Sequence, residues 1–267
     1  MRIRDLVAVA AALLAAHATP MAAQRTGDRA RLVFTVSGAY IQGTGLWTVP
    51  NQPVEQTVDD TTEFTDNYVL SRNIKRTFGA GFSGMYFPGE NVGFTADAFL
   101  LGLGYDDSCR LTPPVESSLN QQICSDIDQQ DKSAAAVTMS VGAVFRVLSR
   151  ETISPFARIS AGLLFSNQSS VLTQGVRNDN VLLTIYEDSK RTRVSPSLAL
   201  GIGATTPLGR AYHLRWEVRD NIVGIERVTG PTAAPRFEPP HERVYKHLFS
   251  ILIGIDVVLE RNRGRRY

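Results

Sequence analysis

Few side chains in this sequence are placed to do chemistry. Beyond residue 30 there are only three histidines, His213, His241 and His247. A covalent catalyst needs a nucleophile beside a base. His247 and Ser250 are three apart on what reads as a strand, so they point to opposite faces. Asp107-Ser108 and Asp188-Ser189 have no neighbouring histidine. No phosphate loop, zinc-type Cys/His cluster or calcium-loop spacing is present. The acidic pairs Asp59-Asp60 and Asp106-Asp107 read as solvated loop carboxylates rather than cation ligands. The expectation is therefore no catalytic residue, no metal ligand and no cofactor.

Two further groups of residues point to structure. Cys109 and Cys124 are the only cysteines, and both lie in one polar segment. An oxidising compartment would pair them as a disulfide. No histidine or second cysteine pair lies nearby to complete a metal site instead. Closing a loop of about 15 residues contributes roughly 3 kcal/mol in the chain-entropy picture. The second group is charged: Lys75, Asp97, Arg146, Arg158, Arg215, Glu217, Arg219 and Asp256. Each stands in a run that alternates apolar and polar at period two, on the polar side. If those polar sides line a closed interior, the charges must neutralise one another as ion pairs, with trapped water. The reading is a salt-bridge plug rather than a gated or ion-selective pore, because a narrow barrel is filled by its own side chains.

The elements that would hold these residues are strands. Period-two runs cover Arg31–Ile41, Lys75–Tyr86, Val92–Tyr105, Ser133–Val147, Pro155–Asn167, Arg193–Thr206, Tyr212–Ile222 and Tyr245–Leu259. In the third run Phe94, Ala96, Ala98 and Leu100 oppose Thr95 and Asp97. In the last, Phe249, Ile251, Ile253, Ile255 and Val257 oppose Ser250, Gly254 and Asp256. Ordinary strands average about five or six residues, whereas strands tilted across a bilayer need about 9 to 11. The links alternate. Short ones lie at Pro88–Asn91, Ser149–Thr152 and Pro207–Arg210. Long polar ones lie at Gln42–Arg72, Asp106–Lys132, Gln168–Thr192 and Gly224–Arg243. In the third long link, Ser169–Thr173 and Val181–Tyr186 flank Gln174–Asn180, which reads as the fifth and sixth strands continuing outward as a hairpin. The pattern predicts an all-β fold, an eight-stranded antiparallel up-and-down transmembrane β-barrel over residues 31–259.

Alternation alone does not say which face is outside. The polar faces carry many small residues and charges of both signs, which suits a filled interior. Aromatics gather near the strand ends, as interfacial girdles do. Tyr86, Phe87, Phe94, Phe145, Phe156 and Tyr212 lie near the short turns. Tyr40, Trp47, Tyr105, Phe165 and Tyr245 lie near the long links. The N-terminus agrees with export. Arg2 and Arg4 precede an apolar run from Leu6 to Ala16, and Met21-Ala22-Ala23-Gln24 reads as a cleavage site after Ala23. Residues 1–23 are thus a signal peptide, 24–30 a short lead and 260–267 a basic tail. The apolar run is too short to span ~30 Å as an anchor. A net charge of +2 gives no general argument for nucleic-acid binding. A mean hydropathy of −0.08 excludes a polytopic helical membrane protein.

The eight runs, the long-short rhythm and phrases such as Val92–Ala98 and Phe249–Leu259 resemble the small outer-membrane β-barrel family, which includes the OmpA transmembrane domain and OmpW-like proteins. The resemblance implies a bacterial outer-membrane location, with extracellular loops and both termini periplasmic. It implies lipid as the surrounding partner and the barrel-assembly machinery during insertion. A last strand followed by Glu260–Arg266 departs from the family habit of ending on an aromatic; only Tyr267 is aromatic in the tail. The function expected is a monomeric structural barrel that presents its loops for adhesion or recognition. The alternatives are a porin-like narrow channel for small or apolar solutes and a secreted soluble lipid-binding barrel. Lipid A-modifying enzymes exist on this scaffold, but an enzyme is not expected from these histidines.

Overall fold

Alternation with β-branched and aromatic residues favours extended backbone, and fourteen strands form among the described residues. The computed structural model describes residues 31–58, 62–115, 117–129, 131–132, 134–147, 152–167, 171–176, 182–187, 194–209, 211–232 and 236–260. In chain order the strands begin with β1 (Arg31–Ile41), β2 (Thr44–Val58), β3 (Thr62–Ile74), β4 (Thr77–Phe87), β5 (Val92–Gly102) and β6 (Tyr105–Thr112). A helix over Ser118–Gln129 precedes β7 (Asp131–Lys132) and β8 (Ala135–Arg146). Then follow β9 (Ser154–Ser166), β10 (Thr173–Val176), β11 (Leu182–Tyr186), β12 (Val194–Pro207), β13 (Tyr212–Val228) and β14 (His241–Glu260). The segments read as signal peptide and lead, and residues 261–267 of the tail, lie outside the described residues, as do Asp59-Asp60 and Asp188-Ser189.

Eight strands close a barrel in the order β1-β14-β13-β12-β9-β8-β5-β4, every pair antiparallel. Strand β1 seals it, with Thr35 opposite Asp256 on one side and Ser83 on the other. The apolar face is outside. Val36 is 64 % exposed, Phe78 77 % and Ile253 63 %, and Phe94, Met139, Val141, Ile202 and Trp216 are exposed with them. Thr35, Ser83, Thr95, Ser160 and Ser250 face inward and are buried. A water-soluble barrel has the opposite polarity, so this wall is built for lipid. Closure also leaves no unpaired edge, which a bilayer would not tolerate.

The aromatic girdles are smaller than the sequence suggests. Tyr86, Phe94, Phe145 and Tyr212 do face outward near the short turns, and Tyr40, Phe165 and Tyr245 near the long links. Phe87 and Phe156 instead point inward, with Val33, Met85 and Val144, and form an apolar ring at the short-turn end. Trp47 and Tyr105 are not in the wall at all. They are buried above it.

The long links are folded rather than open. Strands β2, β3, β6 and β7 make a second sheet in that order. Its strands β3 and β6 pair from Asn67↔Thr112 to Ile74↔Tyr105. Cys109 on β6 and Cys124 on the helix form the disulfide, with Cα atoms 5.3 Å apart. The third link does contain a hairpin, β10-β11. It is a sheet of its own rather than an extension of β9 and β12. Its backbone approaches the helix closely: a Cβ at Gly175 would stand 2.9 Å from the Ile123 Cγ2. Strands β13 and β14 run past the barrel, pairing on from Gly224↔Tyr245 to Val228↔His241. Their inward residues Val223, Ile225 and Val228 join the core of this cap. The third run likewise ends early, at Gly102, because Tyr105 already belongs to the second sheet.

Candidate functional site

Among the described residues, buried ionisable side chains gather in two places, one inside the wall and one above it. Inward positions recur at every second residue of a strand. On β13 this brings Arg215, Glu217 and Arg219 to one face. Asp97 of β5, Arg158 of β9 and Asp256 of β14 meet them across the lumen, and all six are buried. Glu217 is the hub. Its carboxylate lies 2.7 Å from Arg219 Nε, 3.1 Å from Arg215 Nη2 and 3.6 Å from Arg158 Nη1. Arg158 also donates to Asp97, and Arg215 Nη1 lies 3.6 Å from Asp256. Thr35 donates to Asp256 at 2.6 Å, and Thr95 to Asp97 at 3.3 Å. Three guanidiniums thus face three carboxylates, so the layer is neutral in sum. Gly201 makes room for it. A Cβ there would stand 2.5 Å from Glu217 Oε1 and 2.8 Å from Arg158 Cγ.

This charged layer lies between two apolar ones. Below it is the ring of Val33, Met85, Phe87, Val144 and Phe156. The Arg215 guanidinium stacks on Phe156 at 4.0 Å, and that of Arg219 on Phe99 at 5.2 Å. Above it Asn221 donates to Ser250 Oγ at 2.9 Å and to the Leu248 carbonyl at 3.1 Å. Then Ile41, Leu101, Leu164, Leu248 and Leu252 merge with the core of the cap. Such stacking can hold a barrel shut. Among the described residues no group of three or more His, Cys, Asp or Glu side chains is placed to hold a metal ion.

Two of the eight charges read from the sequence sit elsewhere. Lys75 lies in the link between β3 and β4, with Nζ 4.0 Å from Asp106 Oδ1 and both side chains partly exposed. The strand starts at Thr77, two residues later than the alternation suggested, so Lys75 never enters the lumen. Arg146 does point inward, but at the short-turn end. It donates from Nε to the Glu90 carbonyl at 2.7 Å and stacks on Phe87 at 4.0 Å.

The chain is a transmembrane eight-stranded β-barrel. No known protein family matches the sequence, and neither does any curated protein. Several solved structures are similar to it. One is the outer membrane protein OprG from Pseudomonas aeruginosa, at 9% identity and a TM-score of 0.47, covering 88% of this chain and 98% of that one. Another is Ail, the attachment invasion locus protein of Yersinia pestis, at 11% identity and a TM-score of 0.41, covering 86% and 99%. A third is Neisserial surface protein A, at 9% identity and a TM-score of 0.40, covering 86% and 97%. No residue role is transferred from them. The barrel assignment rests on the closed sheet and its outward apolar belt.

The second site was hidden in the long links. Arg72, fully buried, donates to both oxygens of Asp107, to the Leu172 carbonyl at 2.6 Å and to Thr173 Oγ1 at 3.3 Å. Its guanidinium lies 5.4 Å from the Trp47 ring and 5.3 Å from that of Tyr105. One side chain therefore joins the first, second and third long links. Asp107 is not a solvated loop carboxylate, as its sequence context suggests; only its neighbour Asp106 is exposed. Gln52 joins the first, third and fourth links. Its Oε1 accepts from Tyr186 at 2.8 Å and from the Thr232 amide at 3.0 Å. Asp66 accepts from the Ser117 amide and from Asn120 Nδ2 at 3.1 and 2.8 Å. Ser117 Oγ in turn accepts from the Asn120 amide at 3.3 Å, capping the helix. Burial pushes the Tyr105 phenol up to about 12. Burial also raises Tyr68, with help from Asp66, and Tyr186.

Proposed function

We propose that the protein is a closed bacterial outer-membrane barrel whose cap is held outside the cell as a rigid surface for adhesion or recognition. The observation that carries this reading is the junction of all four long links through Arg72 and Gln52. Chain ordered to this degree costs much conformational entropy, and binding surfaces on rigid scaffolds commonly justify such order. In this reading both termini are periplasmic, the protein acts as a monomer in lipid, and the barrel-assembly machinery inserts it. The layered lumen supports a structural role over conduction, because solute would have to part five desolvated ion contacts and two apolar layers. The outward belt disfavours a secreted soluble barrel.

Planar-bilayer recording tests the closed lumen: discrete single-channel steps from the purified protein would establish a pore and sink the structural reading. Protease shaving of intact cells tests the orientation. Cleavage in the long links, with the barrel retained, is the expected result. Shaving that leaves the links intact until the outer membrane is opened would reverse it. Migration that changes on heating, and resistance to carbonate extraction, test membrane insertion itself.

A further inference from the structure

We propose that the recess at the short-turn mouth of the barrel binds a small organic acid, its carboxylate on Arg146 and its apolar body against the ring beneath the charged layer. This goes beyond the role assigned to the cap, which lies at the other end of the molecule. The recess holds about 70 Å³. That is room for roughly five waters, or for a carboxylate and a few methylenes. Its floor is apolar and includes Val33, Met85, Val144 and Phe156. Its cationic side is formed by Arg31, Arg146 and Arg215, with the His213 ring beside them, and Asp256 is the carboxylate that lines it among the described residues.

The state of each charge decides which residue is available to a ligand. Asp256 is committed, accepting from Thr35 at 2.6 Å and lying 3.6 Å from Arg215. Arg215 is committed to Glu217 at 3.1 Å. Arg146 is only half used. Its Nε meets the Glu90 carbonyl and its face meets Phe87, but its Nη2 is shielded from solvent and has no hydrogen-bond acceptor among the described residues. A shielded guanidinium nitrogen without an acceptor is unfavourable, and a carboxylate is its strongest common partner. An inorganic anion would satisfy Arg146 and leave the apolar floor wet. An alcohol or alkane would cover the floor and leave Arg146 unmet. An acid with a short apolar chain does both.

The structure also supplies a pair of reporters. Met85 lines the recess, whereas Met139 faces lipid on the outer wall. The experiment is a ¹³C-methyl NMR titration of the methionine-labelled protein in nanodiscs with sodium hexanoate, hexanol and inorganic phosphate in turn. Hexanoate is expected to shift Met85 saturably and leave Met139 still, while the alcohol and phosphate at equal concentration leave both still. Arg146→Gln is expected to weaken the hexanoate response at least tenfold. Movement of Met139 in step with Met85 would mean partition into the bilayer and would overturn the proposal. So would a non-saturating response, an unchanged affinity in Arg146→Gln, or a phosphate response equal to that of hexanoate. If Arg146→Gln does not assemble, as judged by loss of its heat-dependent gel shift, Val144→Phe decides. It keeps Arg146 and fills the floor, and binding at wild-type strength in that variant would refute the site.

Discussion

The barrel wall and the cap are built from one kind of strand and turned in opposite directions. In the wall, Val36, Phe94 and Ile253 face out, while Arg158 and Glu217 face in. In the cap, Leu70, Trp47 and Tyr105 face in, and Asn67, Asp106 and Arg110 face out. Both regions nevertheless bury arginine–carboxylate contacts, Arg158 to Asp97 in the one and Arg72 to Asp107 in the other. The difference lies in what surrounds them. In the wall the ions form the layer that fills the cylinder, and the hydrophobic effect acts outside it, toward lipid. In the cap one ion pair is set into an ordinary apolar core. The solvent, rather than the strand, decides which side of an alternating sequence becomes the interior.

Variants can be ranked by how far they separate the two regions. Glu217→Ala should have the largest effect, because it leaves three guanidiniums without their shared acceptor. Breaking one buried pair costs about 3–5 kcal/mol, and this variant should reach or exceed that range. The temperature of the gel-mobility change should fall, and the cap should become protease-sensitive along with the wall beneath it. Arg72→Ala should cost the same order, about 3–5 kcal/mol, but only in the cap. Its links should be cut by protease while the gel-mobility change stays at the wild-type temperature. If both transitions move together in Arg72→Ala, wall and cap are one cooperative unit and the comparison fails.

Smaller effects follow. Ile253→Lys, central on the lipid face of β14, should destabilise the wall by about 2–4 kcal/mol, and Leu259→Lys near the strand end by about 0–1. Chemical denaturation in lipid vesicles reads both. Replacing Cys109 and Cys124 together by serine should cost at most about 3 kcal/mol, seen as faster proteolysis around the helix and no change in the wall. The least effect at neutral pH is that of Tyr105. Its phenol is raised from 10.0 to about 12 by burial, so its contribution is complete below pH 10 and is lost as the pH rises through 12. Phenolate absorbance should then appear as the cap opens, with the gel behaviour of the wall unchanged over the same range.

The wall was legible from its alternation, and so were the lumen charges on β5, β9, β13 and β14, because parity along a strand fixes a face. Parity also explains the two girdle aromatics that turned inward. Phe87 shares its parity with Met85 and Ser83, and Phe156 with Arg158, whereas nearness to a strand end says nothing about direction. The cap was not legible. Its strand β2 slips register between Gly45 and Trp47 and again between Val49 and Gln52, so no clean period survives. Arg72 and Asp107 are 35 residues apart, and only folding shows that they meet. One signal was present and unused: Asn120, Ile123, Cys124 and Ile127 recur at helical spacing and form the buried side of the helix.

The hub at Glu217 bears on how the protein must be made. Strand β13 alone carries Arg215, Glu217 and Arg219, an excess of one positive charge, and β9 adds Arg158. Their counter-charges arrive from β5, early in the chain, and from β14, at its end. The β13–β14 hairpin is neutral on its inward face at this level, because Asp256 offsets the excess on β13, whereas β5 brings Asp97 alone and β9 brings Arg158 alone. The Arg158–Asp97 contact spans two hairpins, so each of those strands carries an unmatched inward charge until both lie in one sheet.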